Sequence, residues 1–192
     1  VSLVKISGNA SGTGIFTIAS PNSNTNRTLT LPDNTGTILT SATTTGFPAG
    51  SVIQVVSATY STETNVASTS YTDSGLSASI TPTSASSKIL VVSSIAADLI
   101  KQSNVVSAAF SRLVRGSTQI VEQQAYFGAG TSSSGYVYFP HCHSIIYLDS
   151  PATTSSTTYK VQGKLDSTAS NAAFRFQIGN FTSTLTLMEI AA

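Results

Sequence analysis

Few residues of this chain can do chemistry, and the most specific local group among them is His141-Cys142-His143. In an extended strand, residues two apart share a face, so both imidazoles project together while Cys142 points away. Two imidazoles make an incomplete site for zinc or iron. Repeated about a threefold axis, the pair becomes an octahedral cage, which makes His141 and His143 candidate axial metal ligands. The alternative is a polar strand position whose imidazoles are satisfied by neighbours. Apart from that axial possibility, no cofactor is expected. Cys142 is the only cysteine, which excludes an internal disulfide and every cysteine-based zinc knuckle. It reads as a small buried hydrophobe.

The carboxylates are Asp33, Glu63, Asp73, Asp98, Glu122, Asp149, Asp166 and Glu189, scattered singly. Most fall in expected loops or at strand ends, where solvated charge is the default. A glycosidase-like pair would have to assemble from distant strands. No Gly-x-Ser-x-Gly elbow is present, since Ser133-Ser134-Gly135 reads as a polar loop. Gly128-Ala129-Gly130 and Gly12-Thr13-Gly14 lack the Lys and the strand-to-helix context of a phosphate loop, and read as turns. No catalytic residue stands out, and the expectation is a protein that is not an enzyme.

Tyr126-Phe127 and Tyr136-Val137-Tyr138-Phe139 flank the polar loop Gly128–Gly135. Tyrosines beside a Gly/Ser loop suit stacking on sugar rings or docking on a partner, and equally suit strand ends packed in a core. Tyr126, Tyr136 and Tyr138 are the candidate ligand-binding residues, with the loops Ser61–Thr72 and Gly128–Gly135 as the surface around them.

Bulk composition narrows the classes further. The 192 residues are 9% charged with a net charge of +1, against about 25% charged in ordinary globular chains. The nine basic residues are dispersed, with Arg112 and Arg115 the only near pair, so a nucleic-acid footprint is missing. No apolar run approaches the ~20 residues of a spanning helix, and membrane insertion is not expected. At 40% hydrophobic the chain can build a core. It begins at Val1 without an initiator Met or a basic, apolar leader, so a cut, a processing event or a preceding segment is expected before it.

The elements that must position these residues are strands. Thr, Val, Ile, Tyr and Ser recur in short runs between Gly, Pro, Asn and Asp. Residues 1–46 hold four-residue pulses at roughly ten-residue spacing, the pattern of a fibrous β attachment or shaft segment that needs a neighbour or further copies to bury anything. From Phe47 the runs lengthen: Ser51–Tyr60, Ser77–Thr81, Ser87–Asp98, Val105–Val114, Thr118–Phe127, Tyr136–Leu148, Thr157–Leu165, Ala173–Ile178 and Ser183–Ile190. That is the load of an antiparallel β-sandwich or jelly roll over 47–192, with no credible helix. Tyr159, Val161 and Leu165 alternate with Lys160, Gln162 and Lys164; Phe174, Phe176 and Ile178 alternate with Arg175 and Gln177. Ile89–Val92, Ile145-Ile146 and Leu185–Ile190 are instead apolar on both faces, and the second face needs a cover. Another copy of the chain is the simplest cover, giving a homo-oligomer.

Gly14–Ile18, followed by Arg27-Thr28-Leu29-Thr30-Leu31-Pro32-Asp33-Asn34-Thr35-Gly36-Thr37-Ile38-Leu39-Thr40, resembles a recurrent element of tailed-bacteriophage fibre proteins. Ile80–Val91 and the ending Leu185–Ile190 are similar to domains of structural proteins of aquatic phages. The resemblance implies a homotrimeric fibre or spike of the virion whose distal jelly roll is like the tumour-necrosis-factor and complement-globular class. It also implies that the N-terminal segment contacts other virion proteins and that the head binds a host-surface glycan. Some trimeric phage fibres hold metal through His-x-His, which His141 and His143 match, although this chain has one such motif and not a series.

The resulting expectation is a virion protein, tail-associated, that attaches to the host cumulatively through weak repeated sites. A capsid decoration or head-fibre protein is the first rival, separable by copy number per particle. A cellular adhesin or lectin module would carry a secretion signal upstream. A polysaccharide depolymerase would strip host capsule as pure protein.

Overall fold

The computed structural model describes residues 47–102, 107–127, 136–168 and 171–192, with scattered positions between 8 and 35. The contact pattern divides the chain into Val1–Gly36 and Thr37–Ala192. The fibrous segment expected over 1–46 lies for the most part outside the described residues.

β-Branched runs between Gly, Pro, Asn and Ser turns fold as strands: β1 Val52–Tyr60, β2 Thr64–Val66, β3 Thr72–Ile80, β4 Lys88–Gln102, β5 Ser107–Arg115, β6 Thr118–Phe127, β7 Tyr136–Asp149, β8 Thr157–Leu165, β9 Ala173–Phe176 and β10 Ser183–Ile190. A 3-10 turn lies at Ile178–Asn180. In the first sheet β4 is central. β7 pairs with it from Ile89↔Asp149 to Gln102↔Tyr136. On its other side β10 covers Lys88–Ser94 and β9 then covers Ala97–Ile100. β1 lies outside β10 and β2 outside β9. Thus β1 with β2, and β9 with β10, are each one interrupted run. Counted so, the first sheet has runs in the order 1-8-3-6, and the second, β3-β8-β5-β6, has 2-7-4-5. Two antiparallel sheets so ordered form a jelly roll, the fold the strand load implied.

Alternation decides which side chains meet between the sheets. From the first sheet Ile89, Val91, Ile95 and Leu99 of β4 point inward with Leu185 and Leu187 of β10 and the rings of Phe174 and Phe176. Leu113 of β5 and Tyr159, Val161 and Leu165 of β8 meet them from the second, while Lys160, Gln162 and Lys164 take the other face as expected. Gly163 lies under the β9 rings, where a Cβ would stand 2.6 Å from the Phe176 ring. Only glycine admits so close an approach of strand to ring.

The break between β9 and β10 corrects one expectation. Gln177 was expected on the polar face, but it takes a left-handed conformation (φ 53°) and is buried. Its N–H donates to the Ala96 carbonyl and its Nε2 to Ser183 Oγ, which also accepts from Ala96 N–H. The side chains thereby complete the ladder where the strand is interrupted.

The carboxylates require a second correction, because Asp98, Asp149 and Glu189 are buried and not solvated. Each sits among donors, which is what makes burial tolerable. Asp149 accepts from Arg115 Nη1 and from the Tyr159 hydroxyl, both at 2.6 Å. Burial, then that carboxylate, push the Tyr159 hydroxyl well above the ordinary tyrosine range. Glu189 accepts from Gln54 Nε2, from Thr83 N–H and from Thr83 Oγ1, tying the turn before β4 to β10.

Candidate functional site

The even-numbered residues of β7 face outward and the odd-numbered ones face the second sheet, and this parity sorts the candidate residues. Tyr138, opposite Ile100, is 56% exposed. It borders a recess of ≈ 380 Å³ whose floor is Ile100, Ala172 and Ala173. Asn65 and Ala67 reach the recess from the β2 region, and Thr168 and Asn171 from the segment before β9. Tyr138 and the Ser61–Thr72 loop are therefore brought together. Tyr126 and Tyr136 have their backbones in β6 and β7, but their side chains, like the loop Gly128–Gly135, lie outside the described residues.

A part-buried charge pair lies beside the Tyr138 ring. Arg175 of β9 donates from Nε to Asp98 Oδ1 at 2.9 Å and from Nη2 to Asp98 Oδ2 at 2.5 Å. Its Nη1 lies 3.5 Å from Glu63 Oε1, and its guanidinium is 5.7 Å from the Tyr138 ring centroid. The bidentate bond to Asp98, which outweighs burial, holds Arg175 above its ordinary pKa, so it is a permanent cation. Asp98 is fully buried on β4. The arrangement places a cation beside a half-exposed aromatic ring that borders two amides and a hydroxyl. Such a surface can stack on the apolar face of a sugar and bond its hydroxyls. Asn65 falls within the expected Ser61–Thr72 surface, whereas Thr168, Asn171 and Arg175 escaped sequence reasoning because they come from segments far from Tyr138 in the chain; Asn171 adopts a left-handed conformation (φ 52°), which sequence spacing does not reveal.

His143 faces inward. Its Nε2 is hydrogen-bonded to Ser111 Oγ of β5, so the imidazole bridges the two sheets. His141 shares that parity through its pairing with Ala97, and its side chain lies outside the described residues. No group of three or more His, Cys, Asp or Glu among the described residues is placed to hold a metal ion. Cys142 points the other way, as its spacing required, but it is exposed and not buried. No described residue forms a layer over the outward face of β7, and the Cys142 thiol lies 3.3 Å from Ser94 Oγ.

Charge is distributed unevenly between the two outer faces. The second sheet carries a connected set: Lys160 Nζ lies 2.8 Å from Asp73 Oδ2, and Gln162 bridges Asp73 and Arg112. Arg112 lies 3.8 Å over the Tyr71 ring, whose hydroxyl donates to Glu122. Burial, then the Glu122 bond, push that hydroxyl above the ordinary tyrosine range.

No protein-family model matches the chain, and no curated protein matches it in sequence. Solved structures that share features with it include infectious bursal disease virus, Gx strain, at 16% identity and TM-score 0.31, covering 74% of this chain and 38% of that one. The T13 particle of the same virus aligns at 13% identity and TM-score 0.31, covering 74% and 37%. Its VP2 subviral particle aligns at 16% identity and TM-score 0.29, covering 72% and 37%. This chain spans well under half the length of those proteins, and likeness at these scores carries no argument about function.

Proposed function

We propose that this chain is a non-enzymatic structural protein of a virion, a trimeric fibre or spike whose jelly-roll head attaches to a host-surface glycan. The observation that supports attachment is the Tyr138 recess: an aromatic ring near the Arg175–Asp98 pair, lining one recess with Asn65, Thr168 and Asn171. Sugar recognition at such a shallow surface is weak for one site and becomes effective through copies on one particle. The resemblance of Arg27–Thr40 to phage fibre elements supports the tail location, with the N-terminal segment meeting other virion proteins. Capsid decoration is the second reading, favoured if the protein is present in dozens to hundreds of copies per particle.

The test is adsorption. Tyr138→Ala in the particle is expected to lower the adsorption rate at least tenfold, with the purified head losing binding to host-surface polysaccharide. Unchanged adsorption and unchanged polysaccharide binding would remove the glycan reading, and release of reducing sugar by pure protein would replace it with a depolymerase.

A further inference from the structure

We infer that the outer face of the β1-β10-β4-β7 half of the first sheet is an interface covered by another copy of this chain. The inference rests on the oligomer in the proposed function and assigns its contact surface. One rung across the four strands reads Leu148, Leu90, Met188 and Val55, and the next reads Ile146, Val92, Thr186 and Ser57, so the apolar patch is one full rung and the β7-β4 half of the next. Ile146 is 68% exposed and Val55 57%. Isolated apolar side chains on a surface are ordinary, but a contiguous patch of them marks a contact.

The identity of the occupant follows from three features. First, no charged side chain lies on these strands' outer face between Leu90 and Ala96 or at the positions paired with them; Lys88 borders it. The second sheet's outer face, by contrast, carries Asp73, Arg112, Glu122, Lys160 and Lys164. Second, the polar rung on the neutral face is Ser144, Ser94, Thr184 and Thr59, all hydroxyls. A hydroxyl both donates and accepts, so such a rung can pair with the Ser- and Thr-rich surface of a neighbouring copy, where a carboxylate or ammonium rung would need an opposite charge. Third, the size suffices. Four strands at about 4.8 Å spacing and the run Lys88–Ala96 at about 3.3 Å per residue give roughly 500 Å² per copy. Two copies then bury about 1,000 Å², the lower bound of a specific contact. Past Ser94 the face ends in an apolar recess between Cys142, Ala96, Pro140 and Phe181, where protruding side chains of a second copy can seat.

Cys142, the chain's single cysteine, lies on this face and reports on it without engineering. The full chain is measured by light scattering for mass and by a thiol-reactive chromogen for Cys142 labelling, against the unfolded chain. The expected result is an oligomer whose Cys142 labels at least tenfold more slowly than in the unfolded chain, and an Ile146→Lys variant that is monomeric and labels fast. Should Ile146→Lys fail to fold by circular dichroism, Ile146→Thr keeps the β-branched shape and is expected to raise the dissociation midpoint about tenfold. An oligomer whose Cys142 labels at the unfolded rate, with mass unmoved by either variant, overturns this face while leaving the oligomer standing. A monomer overturns both; if its Cys142 is still shielded, the cover is the chain's own N-terminal segment.

Discussion

Among the described residues, Glu189 carries its charge against neutral donors, Gln54, Thr83 and Ser87. Burial alone would raise its pKa, but those hydrogen bonds outweigh it and hold the carboxyl below its ordinary value of 4.5. A carboxylate whose folded pKa is depressed stabilises the fold above the unfolded value and loses that contribution as pH falls through the folded value. The wild type is therefore expected to lose denaturant stability as pH drops below about 4.5. Glu189→Gln is expected to cost about 2 kcal/mol at pH 7, the worth of hydrogen bonds to a charged group, and the gap should close in acid. Denaturant titrations from pH 7 to pH 2 check this, and a gap independent of pH would contradict it. The burial of Glu189 was not legible in the sequence because Gln54 lies 135 positions away. The same holds for Asp98 and Arg175, 77 apart. Residue spacing reports contacts along one strand or helix, and these contacts cross strands. What spacing did reveal was parity: Cys142 opposite His143, and Tyr159, Val161 and Leu165 on one face.

At the scale of the element, β6, β8 and β10 have the bounds their residue runs imply, although only β8 alternates plainly in sequence and β6 carries an irregularity opposite Leu113 and Val114. The departures fall where a glycine, a flip or sheer brevity breaks the period. β2 is too short at three residues to show any alternation. β3 begins at Thr72 and not Ser77 because its first half contains a bulge at Gly75 (φ 85°), over which the Tyr60 ring lies. β9 stops at Phe176 because Gln177 turns left-handed. β4 runs on past Asp98 to Gln102, paired by β9 and β7 together, an arrangement that no local pattern encodes. Gly163 is the sharpest case. A Cβ there meets the Phe176 ring at 2.6 Å and Phe174 at 2.9 Å, and both rings are fully buried and packed on each other at 4.4 Å. Neither can move aside without opening the core, so Gly163→Ala is expected to cost about 1–3 kcal/mol. Adding Phe176→Leu, which frees the space, should recover part of that loss. Denaturant midpoints of the single and double variants decide it, and equal midpoints for wild type and Gly163→Ala would mean that the rings yield.

For the whole molecule, strand number and composition were enough for a jelly roll, but not for its wiring, because β1 and β10 pair across the full domain and no local signal joins Val52 to Ile190. Composition also announced that charge is scarce without saying where it lies: along the second sheet and around Arg175, and away from the face of Leu90 and Ile146. That placement has a consequence for how copies hold together. Raising salt from about 0.1 M to 1 M shortens the Debye length from about 10 Å to 3 Å and weakens contacts made by exposed ion pairs. An interface of apolar side chains and hydroxyls has no such pairs to lose, and sulfate should strengthen it by favouring burial. The oligomer proposed on this face is therefore expected to keep its mass in 1 M NaCl, to gain in sulfate, and to loosen on cooling toward 0 °C as the hydrophobic contribution fades. Light scattering across that series at fixed concentration is the measurement. Dissociation in NaCl with no response to cooling would move the contact to the charged second sheet, where Lys160, Asp73 and Arg112 would carry it.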